Sequence, residues 1–416
     1  MKTVWIVNYY SALPKYDTHL RHLEFAHYLS QEGYFVRIFN RSFLVQENRQ
    51  LVKGVQLFAN EDCGEFHFTH VKSWNGSGNG IRRAVSIFQF AINLILIRKK
   101  FERPNIILHN IHVPFDYPVI LCAKFLHCKY IAETWDLWPN DFVTAGLISK
   151  DNIFLPLAYR IERKIYEKAT AIIFSFEGGI DYLGERHLTI LHGGKIDEKK
   201  IFYINNGIDI DKFNSDKENH KIVDSDLLDD NFFKIVYLGS IQLSNDIKQL
   251  IDCANVLKGD RRFKFLIYGD GSERNFLEHY CSQNRIDNVY FKQKHIPLED
   301  VPFVVSCASL NILNYKRNVG RYGMSPGKFF QYLAAAKPIC SNIAVKYSII
   351  NEFNLGVEKD LNTPDLYADS IRRIADLSND DYNSMCNRVR ATASLYDYKI
   401  LFKKFLEVVG YCDKNI

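Results

Sequence analysis

A short run late in the chain, SPGKFFQYLAAAKP at 325–338, combines residue types that suit the binding of an anion. Ser325 and the proline after it are favourable residues for the start of a helix. Gly327 would let a ligand approach the backbone, and Lys328 adds a full charge to the free amides and the helix dipole. Gln331 lies three residues after Lys328 and shares its helical face. The run predicts a phosphate-binding helix, although an ordinary amphipathic helix with a solvated lysine has the same pattern.

Other residues suited to a nucleotide follow predicted strands in the same half of the chain. Each is ordinary by itself, because any βα turn can use glycine. Their order along the chain, together with the anion-binding run, favours a shared site. They are Gly239 and Ser240 after KIVYL, Gly269 and Asp270 in YGDGSER, and His295 and Ile296 after NVYF.

Two residues of the first half could act on a reacting hydroxyl. Asp136 follows the run KYIAETW, at the carboxyl end of a predicted strand, where a carboxylate could accept a proton. A helix cap or a partner for a nearby arginine is an alternative role for Asp136. His19 and Arg21 follow the first predicted strand and could face the ligand bound by the other half of the chain, but an ordinary loop histidine explains His19 at least as well.

One apolar helix of the first half carries cations at both ends. Ala84–Ile97 is shorter than the ~18 apolar residues that a membrane span needs. A buried helix with charged ends and a helix docked on an anionic membrane surface both fit this pattern. The cations flank an apolar helix and form no groove interleaved with aromatic residues, so nucleic-acid binding is not favoured. They are Arg82, Arg83, Arg98, Lys99 and Lys100.

Composition restricts the class of protein. A length of 416 residues favours two domains, and 47% hydrophobic with 24% charged residues favours a globular chain. The net charge of +5 is mild, so the location of the cations matters more than their sum. Nine cysteines without CxxC or Cys/His spacing favour reduced thiols over disulfides or zinc. With no cleavable signal pattern at the N-terminus, these features favour the cytoplasm.

Short β-rich runs alternate with helical patterns along the chain, which predicts an α/β fold with parallel sheets. We predict an N-terminal Rossmann-like domain over 1–210, a polar linker over 211–231 and a C-terminal Rossmann-like domain over 232–395. A final helix over 396–416 is predicted to pack back on the N-terminal domain. The predicted strands are TVWIVNYY, YFVRIFNR, NIILHN, KYIAETW, TAIIFSF, IFYINNG, FKIVYLGS, FKFLIYGDG, NVYFKQK, SLNILNY and KPICSN.

The order of these motifs resembles glycosyltransferase family 4, and within it the branch that builds bacterial surface polysaccharides. The run at 325–338 is similar to that branch's P-S-K-x-x-E-Y-L-A-x-G-K-P signature, and ETWDLWP at 133–139 contains its D-L-W-P. NNGID at 205–209 resembles the family's P-N-G-V-D hinge, and the helix with Glu162-Arg163 resembles its E-x-x-x-x-x-x-A-D segment. The resemblance extends over residues 3–409.

The resemblance implies a GT-B architecture, in which two Rossmann-like domains face each other across a cleft. It implies a retaining transferase that needs no metal or cofactor and takes a nucleotide-diphosphate sugar on its C-terminal domain. The acceptor would be a saccharide or a polyprenyl-linked saccharide, contacted or deprotonated by Asp136, while His19 would face the donor. The cations around Ala84–Ile97 would lie at the inner face of the plasma membrane. The diphosphate would be bound by Gly239, Ser240, Arg321, Ser325, Gly327 and Lys328, and the ribose and base by Gly269, Asp270, His295, Ile296 and Gln331.

The chain departs from the family at positions that bear on activity. The family has two glutamates where this chain has Gly323 and Gln331, and the Arg/Lys pair expected after Gly239 is absent. Cations just before the anion-binding run, at Lys316, Arg317 or Arg321, could replace that pair. A catalytically silent nucleotide-sugar-binding partner subunit is therefore an alternative, and a nucleotide-sugar epimerase is a more distant one.

Overall fold

The computed structural model divides the chain into two compact units, Met1–Asn205 with Leu401–Ile416, and Asn206–Ile400. Each unit is built around one large sheet whose strands are connected by helices. The described residues are 1–13, 20–45, 47–77, 80–144, 146–317 and 320–414.

The first unit contains an eight-stranded sheet in the order β10-β9-β8-β7-β1-β2-β6-β5. All neighbouring strands are parallel except β5 and β6, and β3 and β4 form a separate two-stranded ladder. The strand order reverses between β1 and β7, the position at which open α/β sheets bind ligands. The strands are β1 Thr3–Val7, β2 Phe35–Arg41, β3 Phe43–Leu44, β4 Arg49–Gln50, β5 Phe58–Asp62, β6 His67–Val71, β7 Ile106–Asn110, β8 Lys129–Thr134, β9 Ala171–Phe174 and β10 Ile201–Tyr203.

The second unit contains a six-stranded, wholly parallel sheet in the order β13-β12-β11-β14-β15-β16. This is the order of a doubly wound Rossmann sheet, and its reversal lies between β11 and β14. The strands are β11 Phe233–Leu238, β12 Phe263–Tyr268, β13 Val289–Phe291, β14 Leu310–Leu313, β15 Ile339–Ser341 and β16 Gly356–Glu358.

The helices connect these strands, and the last one returns to the first unit. In α16, Phe405 stacks on Phe25 of α1 with ring centroids 4.9 Å apart. The helices are α1 Arg21–Gln31, α2 Ile81–Ile97, α3 Tyr117–Leu126, α4 Asn140–Thr144, α5 Leu155–Lys168, α6 Gly179–Glu185, α7 Ile210–Asn219, α8 Ser225–Leu228, α9 Ile247–Leu257, α10 Arg274–Gln283, α11 Val301–Ser306, α12 Gly327–Ala334, α13 Ile349–Glu352, α14 Pro364–Ala375, α15 Asn379–Ala393 and α16 Tyr398–Lys414.

The residue patterns explain why these elements form. All five residues of β7 are buried, as expected for a central strand of a parallel sheet that is covered on both faces. In α9 the apolar residues recur at three- and four-residue spacing, and that face packs into the core of the second unit. Each strand predicted from the sequence is present, so the α/β prediction is confirmed.

Residues 211–231, predicted as an unpatterned linker, contain α7 and α8 and belong to the second unit. Phe213 and Leu227 are buried, while most of the residues around them are polar. Asp224 accepts hydrogen bonds from Tyr268 Oη at 2.8 Å and from Lys292 Nζ at 2.8 Å, which hold the segment against the sheet. Each helix buries only one apolar side chain, Phe213 in α7 and Leu227 in α8, which is too little for a visible period, so the sequence pattern did not reveal these helices.

Candidate functional site

A cavity of about 450 Å³ lies in the first unit at the carboxyl ends of β1, β7 and β8. It therefore occupies the point at which the strand order reverses. Its lining is rich in aromatic side chains and includes carboxylates, a histidine and an arginine. The lining residues are Tyr10, Arg83, Asn110, Ile111, His112, Trp135, Asp136, Trp138, Asp141, Phe142 and Leu147.

Asp136, the acid predicted from the sequence, is exposed and lines this cavity directly after β8. A second acid, Asp141, accepts a hydrogen bond from the Leu137 N–H through Oδ2 at 2.7 Å. Removal from bulk water raises the pKa of Asp141 to about 6; the Leu137 N–H opposes the rise, and the charge of Asp136 adds to it. Asp141 keeps an exposed side, so water offsets part of this shift. The pair places a proton acceptor and a group that titrates close to neutrality in one cavity.

His112 also lines the cavity, and the sequence analysis did not identify it. Its Nδ1 lies 3.4 Å from Asp116 Oδ2, which also accepts the backbone N–H of His112. Burial by itself would raise the pKa of Asp116, but His109 and His112 outweigh it and hold that pKa well below its usual range. The buried carboxylate therefore lies close to the imidazole, whose Nδ1 has no hydrogen-bond partner among the described residues. A histidine beside a carboxylate is common in acid–base and hydroxyl-binding sites. The signal in the sequence was HNIH at a strand end, followed four residues later by an aspartate.

His19, the other predicted catalytic residue, lies outside the described residues. Arg21, considered with it, is buried, and its Nε donates to Glu133 Oε1 at 2.8 Å. Its terminal nitrogens donate to the carbonyls of Ile204, at 2.9 Å, and of Asn205. Arg21 thus ties the end of β8 to the chain after β10, and these bonds give it a structural role.

The predicted donor residues of the second unit lie around the carboxyl ends of β11 and β12 and the start of α12. Gly239 and Gly269 approach each other so closely that a Cβ on Gly269 would lie 1.9 Å from the Gly239 carbonyl oxygen. A Cβ on Gly271 would lie 2.2 Å from the Ile241 carbonyl oxygen. These glycines are required for the packing of two βα turns. The packing alone explains why the GDG run has two glycines, so the run is not evidence for a bound ligand.

Lys328 extends from the first turn of α12 towards Gly239, and its Nζ lies 3.5 Å from the position that a Gly239 Cβ would occupy. The ammonium donates to Tyr237 Oη at 3.4 Å and lies 4.7 Å and 4.9 Å from the ring centroids of Tyr237 and Tyr315. In the part of the chain that the structure describes, no carboxylate lies within ion-pairing distance of it. Burial lowers the pKa of Lys328 to about 7. A half-buried cation without a balancing charge is suited to an anionic ligand.

The start of α12 differs from the expectation in one respect. The helix begins at Gly327, preceded by Pro326, and Ser325 does not cap it. Ser325 Oγ instead accepts the Asn206 N–H at 2.8 Å, and the Ser325 carbonyl accepts Asn206 Nδ2 at 2.6 Å. The hydroxyl that the sequence predicts as a cap is used to hold the chain at 206. Gly327 is exposed, with open space around its α-carbon, so its amide is accessible.

Gln331 lies one helical turn beyond Lys328, and its Oε1 is buried. Among the described residues this oxygen has no hydrogen-bond partner. An unpaired buried acceptor costs stability unless a ligand donates to it, so the amide can bind a hydroxyl group there.

The remaining predicted donor residues have varied surroundings. Ser240 is exposed, and its carbonyl accepts Tyr237 Oη at 2.8 Å, while the Asp270 carbonyl accepts the Ile241 N–H at 2.8 Å. Arg321 and His295 are exposed. Ile296 is half-buried and packs against core clusters of the second unit. This packing is enough to explain its apolar side chain, so contact with a nucleotide base is not needed to account for it.

The cations around α2 divide between the cavity and the surface. Arg83 lines the cavity, while Arg82, Lys99 and Lys100 are exposed. Arg98 donates to the Ile95 carbonyl at 2.6 Å. No helix of the described residues has both the length and the apolar character needed to cross a bilayer.

Helix α2 carries apolar residues on its outward face as well as on its buried face, which includes Ile87, Phe90 and Leu94. Ser86 accepts Tyr9 Oη at 2.7 Å, and Asn93 donates to the Lys72 carbonyl at 2.7 Å, so its polar side chains face the protein. Ile81, Phe88 and Leu96 face outward and are 83%, 50% and 61% exposed. The outward stripe is therefore apolar, with cations at its two ends.

No model of a known protein family matches the chain. A probable glycosyltransferase of Pseudomonas aeruginosa, WbjE, is 22% identical over 310 residues, which are 71% of this chain and 72% of the relative. The sucrose-phosphate synthase of Thermosynechococcus elongatus superposes with a TM-score of 0.71 over 100% of both chains, at 14% identity. Alr3699/HepE of Anabaena, solved with UDP-glucose, gives a TM-score of 0.64 over 99% of this chain and 100% of its own, at 12% identity. The resemblance to glycosyltransferases and the GT-B fold predicted from the sequence are confirmed.

Proposed function

We propose that this chain is a retaining, metal-independent glycosyltransferase of the GT-B type. It moves a hexose from a nucleotide-diphosphate sugar to a lipid-linked saccharide in the synthesis of a bacterial surface polysaccharide. The observation that carries the proposal is the half-buried Lys328 ammonium, which has no carboxylate within ion-pairing distance among the described residues and lies between the start of α12 and Gly239.

The donor diphosphate would occupy the space in front of Lys328. The amides at the start of α12 and the helix dipole would add to the charge of the lysine. As the bond to the sugar breaks, these groups would stabilise the charge that develops on the leaving diphosphate, a role that a metal ion has in other enzymes. Gln331 Oε1 would accept a ribose hydroxyl. The UDP-glucose bound by Alr3699/HepE, which shares the fold, is consistent with this assignment.

The acceptor saccharide would bind in the cavity of the first unit. Tyr10, Trp135 and Trp138 offer aromatic faces that suit the apolar face of a sugar ring. Asp136 and His112 offer acceptors for the hydroxyl that attacks the donor. The resemblance to retaining enzymes supports the retention of anomeric configuration.

The lipid-linked acceptor is supported by α2. Its outward stripe is apolar and its ends are cationic, which suits the inner surface of an anionic membrane. We therefore place the protein in the cytoplasm, in peripheral contact with that surface.

A silent nucleotide-sugar-binding subunit is the second candidate, favoured by Gly323 and Gln331. Gly323 stands where the family has a glutamate, so that carboxylate is absent. The φ of Gly323 is +94°, a backbone conformation that disfavours a side chain. An epimerase is less favoured, because it needs carboxylates around the sugar ring that the anion-binding run lacks.

Incubation with UDP-, GDP- and dTDP-sugars tests the proposal. We expect one donor to bind and to be transferred to a polyprenyl-diphosphate saccharide, with NMR of the product showing the anomeric configuration of the donor. Binding without transfer, unchanged by Gln331→Glu, would identify a silent subunit. Neither binding nor hydrolysis of any donor would contradict both functions.

A further inference from the structure

Four large apolar side chains beside the cavity are exposed to solvent. Leu147, Ile153, Phe154 and Leu157, here called the apolar loop, are 69%, 82%, 69% and 56% exposed. The neighbouring Leu155 is buried, so one apolar side chain of this segment points into the protein while the other four point to solvent. Such a concentration of exposed apolar side chains usually marks an interaction surface.

The backbone holds the apolar loop in a defined shape. The Leu147 N–H donates to the Phe142 carbonyl at 2.8 Å. Asn152 Oδ1 accepts the Phe154 N–H at 2.9 Å, and the Asn152 carbonyl accepts the Leu155 N–H at 3.0 Å. The exposed side chains therefore project from an ordered turn that leads into α5.

The apolar loop is continuous with the lining of the cavity. Leu147 and Phe142 line the cavity together with Asp136. Arg83 of α2 contributes to the same lining, and its helix has the apolar outward stripe described above. The apolar loop and α2 both contribute residues to the cavity wall, and both carry exposed apolar side chains.

The charges around the apolar loop favour an anionic partner. Lys150, Arg160 and Lys164 are exposed, and Asp151 is the one acidic residue between 146 and 158. On the α2 side, the sequence from Phe66 to Phe101 contains no aspartate or glutamate. Exposed apolar side chains among cations are suited to a bilayer with anionic headgroups, in which the apolar groups insert and the cations remain at the surface.

We propose that the apolar loop inserts into the surface of an anionic bilayer and places the cavity at the membrane, where a lipid-linked acceptor reaches Asp136 without leaving the lipid. The acceptor part of this inference rests on the proposed function, whereas the bilayer contact does not depend on it.

The test compares two triple variants of the full chain. One is Ile153→Ser, Phe154→Ser and Leu157→Ser, which leaves Leu147 and the rest of the cavity lining unchanged. The matched control is Val55→Ser, Ile190→Ser and Leu191→Ser, three residues of the same unit that are 96%, 56% and 80% exposed and lie outside the cavity lining. Thermal unfolding and the sedimentation of each protein without lipid show whether fold or oligomeric state has changed.

Flotation with vesicles that contain phosphatidylglycerol measures bilayer binding. We expect the wild type and the control to bind, the loop variant to bind about tenfold or more weakly, and vesicles of phosphatidylcholine alone to bind less of every protein. Unbound wild type, equal binding by the loop variant, or an equal loss in the control would overturn the inference. A loop variant that dissociates a wild-type dimer would also overturn it, because the surface would then contact a second copy.

Transfer assays separate this inference from the proposed function. For the loop variant, kcat/KM on a polyprenyl-linked acceptor in vesicles should fall about tenfold or more, with activity on a water-soluble short-chain acceptor unchanged. A wild type that binds vesicles but transfers no sugar to either acceptor would contradict the proposed function and leave the bilayer contact standing. Equal losses on both acceptors would contradict the role of the loop in acceptor delivery.

Discussion

At the scale of single residues, Lys328 is the most informative side chain of the second unit. Its half-buried ammonium lies against the rings of Tyr237 and Tyr315, and aromatic faces compensate only part of the cost of removing a charge from water. Burial consequently lowers its pKa to about 7. A site of this kind is less stable empty than filled by an anion.

Lys328→Met should weaken binding of the nucleotide-diphosphate sugar that the donor assay identifies by about thirtyfold or more, because it removes the charged partner proposed for the diphosphate while keeping the length of the side chain. Isothermal titration calorimetry measures the loss. Since the variant also removes an uncompensated charge, the melting temperature of the empty protein should stay the same or rise by about 2–4 °C. Lys258→Met, at an exposed lysine at the end of α9, is the control. Unchanged binding by Lys328→Met would place the diphosphate elsewhere.

The pH dependence of donor binding should follow from the same pKa. As the pH rises from about 6 to about 8, the empty site loses its positive charge, so binding of the same donor should weaken and should be accompanied by proton uptake. The pKa in the folded state lies below the unfolded value of 10.5, so the empty protein should gain stability as the pH rises from about 7 towards that value. Calorimetry in buffers of different ionisation enthalpy counts the protons, and Lys328→Met should show no uptake.

At the scale of elements, the glycines of the second unit have different roles, although each follows or begins a predicted element in the sequence. Gly269 has φ +126° and no room for a Cβ beside Gly239. Gly327 begins α12 in open space. The first is required by the packing of two βα turns, and the second leaves the helix start accessible.

Gly269→Ala should therefore destabilise the protein by about 3 kcal/mol, through steric overlap with the Gly239 carbonyl and an unfavourable φ. Gly327→Ala, its matched control, should be neutral or stabilising by about 0.5–1 kcal/mol, because alanine favours the helix. Urea unfolding followed by circular dichroism measures both. Equal stability of the two variants would show that the close approach at Gly269 is relieved at no cost.

At the scale of the whole molecule, each unit organises its own site at the reversal of its own sheet. In the first unit, Arg21 and His22 bind the two oxygens of Glu133, at 2.8 Å and 2.5 Å, beneath the cavity. Burial would raise the pKa of Glu133, but the two bases outweigh it and lower that pKa to about 2. The start of α1 and the end of β8 are thereby joined through a buried charge network.

The first unit should lose stability in acid because of this network. The pKa of Glu133 in the folded state, about 2, lies below its ordinary value of 4.5, so its contribution is present above pH 4.5 and is lost as the pH falls towards 2. Glu133→Gln should cost about 3–5 kcal/mol at pH 7, because Arg21 would remain buried without its partner. Thermal unfolding at a series of pH values measures both effects, with exposed Glu407→Gln as the control. An unchanged acid transition in Glu133→Gln would assign the acid sensitivity to other groups.

Much of this protein was determined by local sequence. Continuous apolar runs predicted the central strands, and Ser325–Pro338 predicted the helix that carries Lys328 and Gln331. The position of Asp136 at a strand end was also correct. These features depend on neighbouring residues, whose spacing directly sets strand or helix geometry. Strands β3, β4, β5, β6 and β16 were missed. Polar residues interrupt β5 and β6, and the other three strands have only two or three residues.

Only the tertiary structure decided which residues meet. His112, Asp116 and Tyr10 come together with Asp136 because β7 lies between β1 and β8 in the sheet, an order that no local pattern contains. The helical period of α2 showed two faces, but packing against Tyr9 and the Lys72 carbonyl turned the polar one inward. Contacts between residues distant in the chain depend on the packing of whole elements, and this packing made the cavity and left the apolar surfaces exposed.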